Sequence, residues 1–242
     1  MRLAQALGVQ EWMVHHRRHL HQHPEVGLDL PQTHDYVASV LRDLGYEVEV
    51  HRAAGVTARV AGSAPDGTVS VLRADMDALP VTERVELSFR SLHEGAMHAC
   101  GHDLHMAMLL GAAQVLADHP PRRDTVLAFQ PGEEADRGAL PLLEHTNLGF
   151  AGPATAFAVH VHALAPPGTI LVRPGVFWPT ATGSRSSLPG QAAMPASRTS
   201  WATRSKPRAR SPCGFATAWP RLDAARRSWP PSLRAGAATP ST

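Results

Sequence analysis

A break in character at residue 183 divides this chain into two parts that cannot follow one folding logic. Residues 1–183 carry 13 Lys+Arg against 20 Asp+Glu, whereas residues 184–242 carry 10 against 1. All 15 histidines lie at or before His162, and the segment after 183 has no His, Ile, Val or Tyr. Ser, Arg, Ala, Pro and Thr crowd that segment without helical or strand periodicity, so it is expected to be a disordered tail. Its arginines follow no helix face and no nucleic-acid motif accompanies them, which argues against a nucleic-acid partner. A core is therefore expected only in 1–183.

Within that part, strands alternate with helices. An amphipathic helix is expected from Val9 to His23, with Val9, Trp12, Met13 and Leu20 inward, ended by Pro24. A second opens at Pro31 and stops at Gly45. Strands are expected at 46–50, 57–61 and 68–72, with Asp66-Gly67 as a hairpin-type turn before the last. A strongly apolar helix over 103–117, a buried strand at 125–129, a helix at 138–145 and a strand at 154–161 follow. The pattern implies an α/β layered sandwich with a largely parallel central sheet. Ligands in such sheets gather beyond the carboxyl ends of the strands. Three polar clusters fall there: Arg73-Ala-Asp75-Met-Asp77, Gln130-Pro-Gly-Glu133-Glu134 and His160-Val-His162.

The densest chemistry is Met97-His98-Ala-Cys100-Gly101-His102-Asp103-Leu-His105. In an extended stretch Cys100 and His102 would point the same way and grip one metal ion, with Asp103 placed to cap the following helix. A thiolate beside an imidazole suits zinc, manganese, cobalt or nickel better than magnesium. The adjacent side chains of Glu133 and Glu134 diverge, so one can bind metal while the other acts as a base. Arg17, Arg18, His15, His16 and His19 crowd one helical stretch and read as a solvated face.

The strings RRHLHQHPEVGLDLPQT, LRADMDALP, MHACGHDLHMAMLLGAA, FQPGEE and AVHVHALAPPGTI, in this order, resemble the family of aminoacylases, hippurate hydrolases and auxin-conjugate hydrolases from about Trp12 to Thr182. The resemblance implies a site for two divalent metal ions with Cys100, His102, Glu134 and His160 as ligands and Glu133 as general base. It places Asp75 beside the site as support for a ligand. The activity implied is hydrolysis of the amide of N-acyl amino acids, small-molecule substrates, in proteins that can form homo-oligomers. A non-catalytic metal-binding or scaffold protein of the same descent is the alternative. No apolar run approaches 18 residues and no secretory signal is recognisable, so a cytoplasmic protein without a membrane partner is expected. With only Cys100 and Cys213, both thiols would stay reduced there.

Family members are longer and carry a lid domain that 184–242 does not resemble. Reading the codons of Gln191 to Thr199 from each third base permits Gly-Gly-His-Ala-Ser-Leu-Pro-His, which is similar to a lid motif of the family. Residues 184–242 are therefore expected to be an out-of-frame translation, and the chain as it stands to be inactive.

Overall fold

The computed structural model describes residues 2–134, 138–146, 148 and 154–172. The chain divides into two units, Met1–Leu164 and Ala165–Thr242. In the second, the described residues are 165–172, where Gly168 turns the chain and Thr169 N donates to Pro166 O. The expected boundary at 183 and everything expected of 184–242 lie outside the described residues.

The first unit holds α1 (Arg2–Gly8), α2 (Gln10–Gln22), α3 (Pro31–Asp43), β1 (Val48–His51), β2 (Gly55–Val60), β3 (Val69–Asp75), α4 (His102–Asp118), β4 (Asp124–Gln130), α5 (Leu140–His145) and β5 (Ala154–Ala158). The sheet order is β1-β2-β4-β3-β5. Its core is parallel, β4 and β5 flanking β3, while β2 runs antiparallel to both β1 and β4. The α/β fold class stands as expected, with one local correction. Asp66-Gly67 does not join a hairpin, because β4 lies between β2 and β3; the hairpin is β1–β2, turning at 52–54.

Side-chain alternation along the central strands feeds two cores. Leu127 and Phe129 of β4, with Ala74 of β3, face a cluster built with Leu20, Val37, Leu41, Met106 and Leu110 from α2, α3 and α4. Val126 and Ala128, with Val69 and Val71, face Leu142 of α5. Helices thus cover both faces, which explains why β4 is buried along nearly its whole length. Helix α4 is apolar on most sides because it is wedged between sheet and α2. At Gly111 an added Cβ would lie 2.2 Å from the Met13 sulfur, so glycine sets how closely α2 and α4 approach. Helix α3 starts at Pro31, and the Glu25 carboxylate accepts from the Gln32 and Thr33 backbone N–H groups there.

Helix α2 keeps only part of the solvated face expected of it, with His15 and Arg18 exposed. His16 and His21 are buried, His16 Nδ1 lies 2.7 Å from the Tyr36 hydroxyl, and Arg17 pairs with Asp103. These polar groups turn inward because distant partners satisfy them, which a charge run alone does not reveal. No helix among the described residues is long and apolar enough to cross a membrane.

Candidate metal centre

The site begins where β3 ends. Asp75, its last residue, is 1% exposed; Oδ1 lies 2.5 Å from His105 Nδ1 and Oδ2 accepts from Arg73 Nη1 at 2.8 Å. Arg73 is itself held by Gln130 at the end of β4, 2.9 Å from Nε to Oε1. Burial opposes the charge on Asp75, but the His105 hydrogen bond and the Arg73 guanidinium hold its carboxyl well below the usual range. Two residues on, the carboxylate of Asp77 accepts from the backbone N–H of Glu133 at 2.8 Å and of Glu134 at 2.9 Å. Asp77 thereby fixes the loop that presents both glutamates.

His102 is the first residue of α4 and fully buried. Its Nδ1 donates to the Asp77 backbone carbonyl at 2.7 Å, which leaves Nε2 as the free ring nitrogen. That Nε2 is buried without a hydrogen-bond partner. It lies 3.8 Å from Asp75 Oδ2, 3.8 Å from Glu133 Oε2 and 4.0 Å from Glu134 Oε1. A ring nitrogen facing three carboxylates calls for a positive charge between them. Burial works against protonation, yet Asp77, Cys100 and Asp75 push the His102 pKa up to about 11. The same potential that keeps a proton there would attract a divalent cation.

Cys100 and His102 do not lie in an extended stretch, as expected from their spacing. Gly101 between them is the helix N-cap with φ 85°, a left-handed conformation that suits glycine. A Cβ at Gly101 would also meet Val161 Cγ2 at 2.5 Å. The turn brings Cys100 Sγ to 3.4 Å from His160 Nε2, two residues beyond β5. Val161 N donates to His105 Nε2 at 2.9 Å, tying this segment to α4. Asp103 does not cap α4; it is buried and holds Arg17 and His21 instead.

Donor atoms within 4.8 Å of one another form three groups: Cys100, His102 and His160; Asp75, His102 and His105; and His102, Glu133 and Glu134. The five other candidate site residues from the sequence, Asp75, Cys100, Glu133, Glu134 and His160, are thus placed around His102. Burial and the charge of Glu134 raise the Glu133 pKa, the direction that suits a group accepting protons near neutrality. Sequence reasoning assigned no role to Asp77 or His105. His105 follows His102 by three helical positions and so shares its face, and Asp77 shares the Asp-x-Asp string with Asp75; both signals were in the sequence.

The sequence pattern of peptidase family M20/M25/M40 matches residues 71–231. The chain is 42% identical over 165 residues to an N-acetyldiaminopimelate deacetylase of Anoxybacillus flavithermus, covering 67% of this chain and 43% of that protein. It is 40% identical over 176 residues to thermostable carboxypeptidase 1 of Saccharolobus solfataricus, covering 69% and 43%. Among solved structures it is similar to the YxeP protein of Bacillus subtilis, described as a dinuclear metal-binding peptidase. That match has 33% identity and a TM-score of 0.56, covering 61% of this chain and 42% of that one. The chain spans less than half the length of these relatives. A family match across most of the sequence and the strand-end site agree: the chain belongs to peptidase family M20/M25/M40.

Proposed function

We propose that residues 1–183 form the metal-binding part of a metal-dependent amidohydrolase that cleaves N-acyl amino acids, in the manner of aminoacylases or hippurate hydrolases. The observation that carries this reading is the buried, unpartnered His102 Nε2 among carboxylates. Cys100, His102, Glu134 and His160 would hold two divalent ions, and their mixed thiolate, imidazole and carboxylate donors fit zinc, manganese, cobalt or nickel. Asp75 is engaged by His105 and Arg73, so it serves as an orienting group. Ions bound there would supply Lewis acidity for the acyl carbonyl and for an attacking water. Glu133 takes a proton from that water and returns it to the leaving amine, while Asp77 keeps the Glu133 backbone in place. A free acid and an amino acid leave. The names of the deacetylase and carboxypeptidase relatives support chemistry on small acyl amino acids and peptides.

Equilibrium dialysis with Zn or Mn tests the site. Wild type should retain metal that a Cys100→Ser, His102→Ala double variant loses; equal metal content in both would remove the assignment.

Residues 184–242 we infer to be read out of frame from about codon 183, on the strength of their composition and the shifted codons. The family match, which runs on to residue 231, stands against it. DNA sequencing decides: a Gly-Gly-His-Ala reading in the shifted frame, with activity on N-acetyl amino acids gained when that frame is restored, supports the inference. A stop before those codons, or ordinary activity in the present chain, ends it.

A further inference from the structure

His21 lies on the inner side of α2, 3% exposed, with a carboxylate at each ring nitrogen. Nδ1 is 2.8 Å from Asp103 Oδ2 and Nε2 is 3.1 Å from Glu83 Oε1. Ionised carboxylates only accept hydrogen bonds, so both contacts require an N–H and the ring is an imidazolium. Arg17 Nε, one turn earlier on α2, sits 2.7 Å from the same Asp103 oxygen. Two cations therefore meet two carboxylates, and the buried cluster is neutral. The other oxygen of Glu83 accepts from Ser91 N at 2.6 Å, and Leu92 N donates to Gln22 O at 2.9 Å. His21 thus joins three separate pieces of chain: α2, the segment around 83–92 and the first turn of α4.

Asp103 is the neighbour of His102. Adjacent residues point about 100° apart around a helix, so a roll of the turn that releases one displaces the other. No side chain caps α4, whose N-cap is Gly101, so the turn is held through its own side chains: Asp103 by His21 and Arg17, and His102 by the Asp77 carbonyl. We propose that His21 is a positioning residue for the metal centre: by gripping Asp103 it fixes the roll of the first turn of α4, and with it the aim of His102 Nε2 and the placement of Cys100. It touches none of the candidate ligands itself. Partners that hold a ligand's geometry from outside typically govern metal affinity by about 10–100-fold, and His21 acts on that geometry through the residue next to His102. This inference rests on the metal-site reading above.

The test is a cobalt(II) titration of the full, metal-free chain as wild type, His21→Gln and Glu83→Gln. It is followed through the ultraviolet absorption of a cobalt–thiolate bond at Cys100, with thermal unfolding of each metal-free protein alongside. One amide cannot donate to two carboxylates on opposite sides, so His21→Gln should raise the cobalt Kd about 10–100-fold. The thiolate band at saturation should weaken while unfolding stays cooperative. A tie that merely held the fold would lower the melting temperature and leave Kd and band alone; that result overturns the proposal. Should His21→Gln not fold, Glu83→Gln decides. It leaves the Asp103 contact but loosens the far side of the bridge, and a raised Kd supports the proposal where an unchanged one refutes it. Failure of wild type to bind cobalt would instead defeat the metal-site reading itself.

Discussion

The two sides of the candidate centre are built differently. On the inner side Asp75, Asp77, His102 and His105 are all 3% exposed or less, and each side chain apart from His102 Nε2 has its partners within the protein. On the outer side Glu133, Glu134 and His160 are exposed and Cys100 is half-buried. The inner groups are held by strand ends and a helix start, whereas the outer ones come from loops after β4 and β5 and the turn before α4. Support and candidate chemistry are thereby separated: the buried side is fixed by folding, and the open side carries the groups to which the proposed function assigns metal and substrate.

That division can be broken by substitution. Asp75→Ala should lower the stability of the metal-free chain by about 3–5 kcal/mol, the scale for leaving a buried ion-pair partner alone, read from urea unfolding. A loss below 1 kcal/mol, as for an ordinary surface change, would mean that the inner side is no scaffold. On the outer side the effect should fall on chemistry. In a chain read in the shifted frame after 183, Glu133→Gln should keep metal and stability but lose hydrolysis by at least about 100-fold. Glu134→Gln should lose metal, and the reverse pattern would exchange the roles of ligand and base.

The smallest effect is one of pH. Asp103 raises the His21 pKa against the opposing effect of burial, with help from Glu83. A group whose folded pKa is raised gives stability that is complete below its unfolded value, about 6.5, and lost as pH rises through the folded value. The metal-free chain should therefore melt about 2–4 °C lower per kcal/mol lost as pH rises above about 6.5. His21→Gln should flatten that part of the profile; a parallel slope in both proteins would assign the dependence to other groups.

Much of the outer side was legible in the sequence, because metal-binding and acidic residues stand out by type and fall where strands end. Residue type and position singled out Cys100, Glu133, Glu134 and His160, with His102 of the inner side, as candidates, and the family resemblance supplied the roles expected of them. The inner side was harder to read because its meaning lies in pairings across distance. Asp77 acts through backbone groups 56 and 57 residues away, which no local pattern announces. His16 and Arg17 looked like part of a solvated run until Tyr36 and Asp103 were brought to them, and His21 drew no attention until Asp103 and Glu83 met it. The strands themselves were recognisable from alternation, but their order was not: Asp66-Gly67 has hairpin chemistry, and only the insertion of β4 between β2 and β3 denies it a hairpin.

That same insertion has a consequence in time. The β1–β2 hairpin closes over a three-residue turn and can form at once. Strand β3 must wait, because its partners begin only at Asp124 and Ala154, and closing long loops costs entropy before any contact repays it. As the polypeptide is synthesised, Asp75 and His102 emerge well before the strands that set the floor of the sheet. The candidate ligands would then form a loose collection until β4 and β5 arrive, which makes the centre one of the last features expected to form.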